Sequence, residues 1–143
     1  MLVEHRSPTY KQLSESLSMR IQLTDGLRLT LSSERGPTNP NLFELRGTSR
    51  FRCCGNCVVT LSPDSFQIPG QDHQSLSIVR DISRKGIGII AHQQWYPEQS
   101  LELILATATV EARVARVRRA GPFCYEVGLI IVKHELNRAS DII

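Results

Sequence analysis

From Cys57 onward the chain is written in short apolar runs separated by turn residues, and the period within the runs is two. Strands are expected at about Cys57 to Leu61, Ser75 to Ile82, Ile87 to Ala91, Leu101 to Ala106, Thr109 to Val117 and Phe123 to Val132. Pro63-Asp64, Pro69-Gly70, Pro97 and Gly121-Pro122 supply turn chemistry between most of them. Six short strands joined in this way predict a mainly β architecture, an antiparallel barrel or sandwich. A last segment, Lys133 to Ile143, has Leu136 and Ala139-Ser140 at helical spacing and is expected to form a short C-terminal helix.

The first part of the chain has a different rhythm. Ser7-Pro8 fits the N-cap and first position of a helix, and Tyr10, Leu13, Leu17 and Ile21 recur at helical spacing, which predicts a helix over about 8–21. Residues Ile21 to Leu31 then alternate around Asp25-Gly26, the pattern of a small hairpin, with continuation of the helix to about Asp25 as the alternative. Ser32 to Asn41 has linker composition, with glycine, two prolines, serine and asparagine. The organisation expected is therefore an extension and linker over 1–44, followed by a β domain over 45–143.

Length and composition fit this outline: 143 residues, 41% hydrophobic and 22% charged, are ordinary for one globular domain with a core of its own. The longest apolar run, Val127 to Val132, is far short of the roughly 20 residues needed to span a membrane. Glu4, His5 and Arg6 follow the first three residues at once, which does not read as a secretory signal, so a cytoplasmic location and no membrane partner are expected. The net charge of +3 is too mild for a dedicated nucleic-acid protein. All of the excess falls after residue 44, with twelve basic against nine acidic side chains.

The four cysteines, Cys53, Cys54, Cys57 and Cys124, include a pair with the two-residue gap of a zinc or redox motif. A structural zinc needs four ligands, usually as two such pairs; only Cys124 remains, and the histidines stand at no ligand spacing to each other or to it. Since Cys57 leads directly into a strand, reduced and partly buried thiols are the expectation, with no metal and no cofactor. Catalysis has no recognisable motif either: GxSxG, HExxH and a phosphate-cradling glycine loop with lysine are all absent from the sequence, so a non-enzyme is expected.

Two polar stretches carry the candidate chemistry. Arg80-Asp81-Ile82-Ser83-Arg84-Lys85-Gly86-Ile87-Gly88 is a turn between two apolar runs. Asp81 and Ser83 leave the same face of an extended backbone, and Gly86 and Gly88 offer either φ > 0 or a surface without Cβ where a flat ligand can approach. Upstream, Arg46 and Arg50 flank Gly47-Thr48-Ser49. An arginine fork grips a phosphate, or guanine N7 and O6, while a carboxylate accepts from guanine N1 and N2. Arg46, Arg50, Asp81 and Ser83 together therefore suit an anionic ligand that carries guanine. As plainer roles, Asp81 and Ser83 would cap their own turn, Gly86 would be a turn glycine, and the arginines would be solvated surface charge.

RGTSR at Arg46 to Arg50 followed by DISRKG at Asp81 to Gly86 resembles the RxxxR and DxSxxG pair of the PilZ domain family, bacterial receptors for cyclic di-GMP. The hairpin from Val114 to Leu129, with a glycine inside its last strand, adds to the likeness, which covers about Leu45 to Val132. The resemblance implies a six-stranded antiparallel β-barrel that binds cyclic di-GMP through Arg46, Arg50, Asp81, Ser83 and Gly86 and passes the signal to a protein partner. It also implies a bearing of Leu45 on stoichiometry, with leucine there favouring one ligand per chain. Arg116, in the basic cluster with Arg118 and Arg119, is an additional candidate contact, with a solvated strand face as its ordinary role. Trp95 with Tyr96 reads as a lid on the core. Two other functions stay open: a degenerate adaptor of the same fold that binds protein without nucleotide, and a small basic barrel that binds RNA or single-stranded DNA. The second is disfavoured by the scarcity of aromatic residues, four Phe, three Tyr and one Trp.

Overall fold

The computed structural model describes residues 10–33 and 51–136. Two short helices, α1 (Tyr10–Ser16) and α2 (Asp25–Ser33), precede six strands: β1 (Phe51–Leu61), β2 (Gln74–Ile82), β3 (Gly86–Ala91), β4 (Ser100–Ile104), β5 (Ala108–Gly121) and β6 (Cys124–Leu136). The strands close into an antiparallel barrel in the order β1-β2-β3-β6-β5-β4. No described helix is long and apolar enough to cross a membrane.

Strand alternation sorts the side chains. Cys57, Val59, Val79, Ile87, Ile89, Leu103, Val110, Val114 and Val127 point inward and form one continuous core with Trp95. Trp95 is fully buried, as a lid on that core. Gln99 is also fully buried and is satisfied by its neighbours: its Nε2 donates to Phe66 O and Gln71 Oε1, and its Oε1 accepts from Tyr96 N. A polar side chain that deep would be costly without such partners.

The region of the expected hairpin at Ile21 to Leu31 is instead an extended connector followed by α2. Local capping and burial overrule the period-two pattern. Thr24 Oγ1 accepts from Leu27 N at 3.2 Å, as an N-cap does, and Asp25 adds a negative charge to the first turn. Leu27 and Leu31, four apart, bury one helical face against Ile90 and Cys124 on the outside of the barrel. The helix expected over about 8–21 is shorter, ending at Ser16. The connector is tied down at two points: Gln22 N donates to Phe123 O at 3.0 Å, and Arg20 pairs with Asp72 at 2.6 Å. The same Asp72 oxygen lies 2.8 Å from Nε2 of buried His92.

At the other end, Lys133 to Leu136 belong to β6 rather than to a C-terminal helix, because β5 supplies a paired strand as far as Ala108↔Leu136. Residues 137–143 of that expected helix lie outside the described residues. Cys57 and Cys124 are both buried. Burial beneath α2 pushes the Cys124 thiol above its ordinary 9.0, a hydrogen bond with the Thr24 backbone opposes this, and the charge of Glu126 reinforces it.

Candidate functional site

A groove of about 830 Å³ runs over the outer faces of β2, β3, β6 and β5. Its floor is a single cross-strand row, for Asp81 pairs with Gly88, Gly88 with Gly128, and Gly128 with Arg116. With neighbouring strands about 4.8 Å apart, the row spans roughly 14 Å from the acidic end to the basic end.

Two β-bulges make this row possible. On β2 the register moves from Val79↔Ile89 to Asp81↔Gly88, two residues against one. On β5 it moves from Val114↔Leu129 to Arg116↔Gly128 in the same way. Each bulge lets two successive residues stay out of the core, Arg80 with Asp81 and Ala115 with Arg116, while Ile82 and Val117 return to it. Without the bulges, strict alternation would leave Asp81 facing the core with Val79.

The glycines serve these side chains. A Cβ on Gly88 would stand 2.7 Å from Asp81 Oδ1, and one on Gly128 would stand 2.8 Å from Arg116 Nε. The carboxylate and the guanidinium stem therefore lie flat on the sheet, in space that any other residue would fill. Neither Gly86 nor Gly88 has positive φ, so the left-handed role is not the reason for them; among the described glycines only Gly70 adopts it. A Cβ on Gly86 would meet the carbonyl oxygen of Leu129 at 3.0 Å, so this glycine lets the turn come close to β6. Ile131 N donates to Lys85 O at 2.8 Å and holds it there.

Ser83 closes the turn between β2 and β3. Ser83 N donates to Gly86 O at 2.8 Å, and Gly86 N donates back to Ser83 Oγ at 3.1 Å. The turn-capping role therefore holds for Ser83, and the hydroxyl sits at one end of the groove while performing it.

Four cations, Arg80, Lys85, Arg116 and Arg118, and two carboxylates, Asp81 and Glu126, line the groove among the described residues. The excess of two positive charges favours an anion. Glu126 bridges Arg80 through Oε1 and Arg118 through Oε2, with Arg118 Nε donating at 2.7 Å. Arg118 is thus an ion-pair partner rather than a freely solvated side chain, and Glu126 and Arg80, to which no role is assigned from sequence, join the site. Glu126 stands two residues before Gly128 and opposite Arg118, and Arg80 immediately precedes Asp81, a neighbourhood legible only once the register is known.

Of the residues expected at a ligand site, Asp81, Ser83, Gly86 and Arg116 come together on this groove. Leu45, Arg46 and Arg50 lie outside the described residues. Among the described residues no group of three or more His, Cys, Asp or Glu is placed to hold a metal ion. In comparisons with known proteins, no family model matches the sequence and no curated protein is found to be similar.

Proposed function

We propose that the protein is a PilZ-like receptor for cyclic di-GMP that passes ligand binding to a protein partner. The observation that carries this reading is the flat row from Asp81 over two glycines to Arg116, set in a groove with an excess of positive charge. Asp81 offers a carboxylate to the N1 and N2 donors of guanine, and Arg116 offers a fork to a phosphate or to guanine N7 and O6. Arg46 and Arg50, the pair that carries the family resemblance with Asp81 and Ser83, complete the grip on the anion, and Gly86 keeps the turn close to the ligand.

Calorimetric titration of the purified chain with cyclic di-GMP tests this, with GTP as control ligand and Arg50→Ala as control protein. Saturable binding by the parent, lost in the variant and absent with GTP, is expected. A second reading is favoured by Ser83, whose hydroxyl is engaged with its own turn at Gly86: the fold then serves as a protein-binding adaptor without nucleotide. Silence from a folded parent selects that reading.

A further inference from the structure

Glu126 stands on the outward face of β6, two residues before Gly128, with only 13% of its side chain exposed. Each of its oxygens accepts from a different guanidinium, Oε1 from Arg80 and Oε2 from Arg118. An anion held between two arginine forks is the arrangement in which a phosphate group is commonly bound. Here the protein supplies that anion itself.

The neighbouring cation is in a different state. Arg116 lies over Gly128, on the same face of β5 as Arg118, and no carboxylate is bonded to it among the described residues. Arg118 side chain is 78% exposed, so it is accessible to solvent ions while its charge is spent on Glu126. Of the three guanidinium groups on the groove, one therefore has no bonded carboxylate among the described residues and two share the single negative charge of Glu126, with Lys85 as the fourth cation on the lining.

We propose that Glu126 is a built-in stand-in for a ligand phosphate, and that it sets which anions the groove admits and how tightly. A first anionic group settles at Arg116 against no competition. A second one that takes the Nε–Nη2 edge of the Arg118 fork displaces Oε2 of Glu126, so the carboxylate lowers affinity for ligands that carry two adjacent anionic groups. This rests on the groove being an anion site, and it assigns the residue that tunes it.

Inorganic pyrophosphate is the probe, titrated by calorimetry against the parent, Glu126→Gln and the double variant Glu126→Gln/Arg118→Gln. Glu126→Gln is expected to bind pyrophosphate on the order of five- to tenfold more tightly at low ionic strength, with the gain shrinking as salt is raised. The double variant is expected to lose most of that gain. Equal affinities for parent and Glu126→Gln, or no binding by either, overturn the proposal. If Glu126→Gln melts well below the parent, the parent alone decides: the Arg118 Nε–H resonance should move on adding pyrophosphate, and an unmoved signal overturns the proposal. Cyclic di-GMP run in parallel separates the two readings. Pyrophosphate gain without any cyclic di-GMP binding refutes the nucleotide reading and leaves the role of Glu126 standing; cyclic di-GMP binding without a pyrophosphate gain does the reverse.

Discussion

Gly128 and Gly88 are the residues on which the site depends most directly, because each holds open the space into which a charged neighbour lies down. The atoms in the way are the ends or stems of flexible side chains, so filling that space displaces a side chain and leaves the backbone where it is. Gly128→Ala is therefore expected to change stability by less than about 1 kcal/mol, since strand alanine offsets part of the repulsion. It is also expected to lift the Arg116 guanidinium off the floor and weaken anion binding by about 1.5 kcal/mol, roughly tenfold. A thermal melt beside a cyclic di-GMP titration checks both halves; a large loss of stability with binding intact would contradict the account. Gly86 differs, because its missing Cβ faces the Leu129 carbonyl, which moves only with β6. At this scale the sequence showed which residues were polar and small but not why. Two bulges decide which way Asp81 and Arg116 face, and a bulge is a property of strand pairing that one strand's sequence does not announce.

Among the elements, β2, β3 and β4 were legible to within two residues, since alternation and turn chemistry both act locally and agree. By contrast, β1 begins at Phe51 rather than Cys57, and β5 and β6 run on to Gly121 and Leu136 rather than Val117 and Val132, because strand pairing carries them past their apolar runs. The N-terminal region was not legible in this way, because two signals compete there. Ile21 to Leu31 carries a period-two pattern, yet Leu27 and Leu31 are also four apart, and the apolar wall of Ile90 and Cys124 that rewards the helical reading is contributed by β3 and β6, far along the chain. That wall stabilises α2, so a nine-residue helix persists where it would be marginal alone. Leu27→Ala is accordingly expected to cost about 2–3 kcal/mol of α2 docking. Hydrogen exchange should show amide protection lost through α2 and retained in β3 and β6; uniform loss across the barrel would show that helix and barrel unfold as one. The C-terminal segment failed for a similar reason: helical spacing over Leu136 and Ala139 was outweighed at its start by the pairing that β5 offers to β6.

For the molecule as a whole, the same three strands carry two different surfaces. Near one end Ile90, Cys124 and Ala120 lie under α2; two residues further along, β3, β6 and β5 present Gly88, Glu126 and Arg118 to the groove. Glu126 is the cross-strand partner of Ile90, so the ion-pair bridge stands at the border between helix and groove. A ligand that disturbs the bridge acts beside the helix that covers the next row. The barrel keeps these positions fixed relative to one another, since β3, β6 and β5 are continuous neighbours in its ring.

Trp95 gives this architecture an optical consequence. It is the chain's single tryptophan, and it is fully buried in the barrel core, away from the groove. Its emission should be blue-shifted in the native protein and should shift red only when the barrel opens, because a shielded indole relaxes little in its excited state while a hydrated one relaxes strongly. Fluorescence during denaturant unfolding then reports the barrel alone, whereas far-ultraviolet circular dichroism reports helices and strands together. For Leu27→Ala the expected outcome is an early dichroism change that precedes the tryptophan transition, and coincident curves would mean that α2 has no melting of its own.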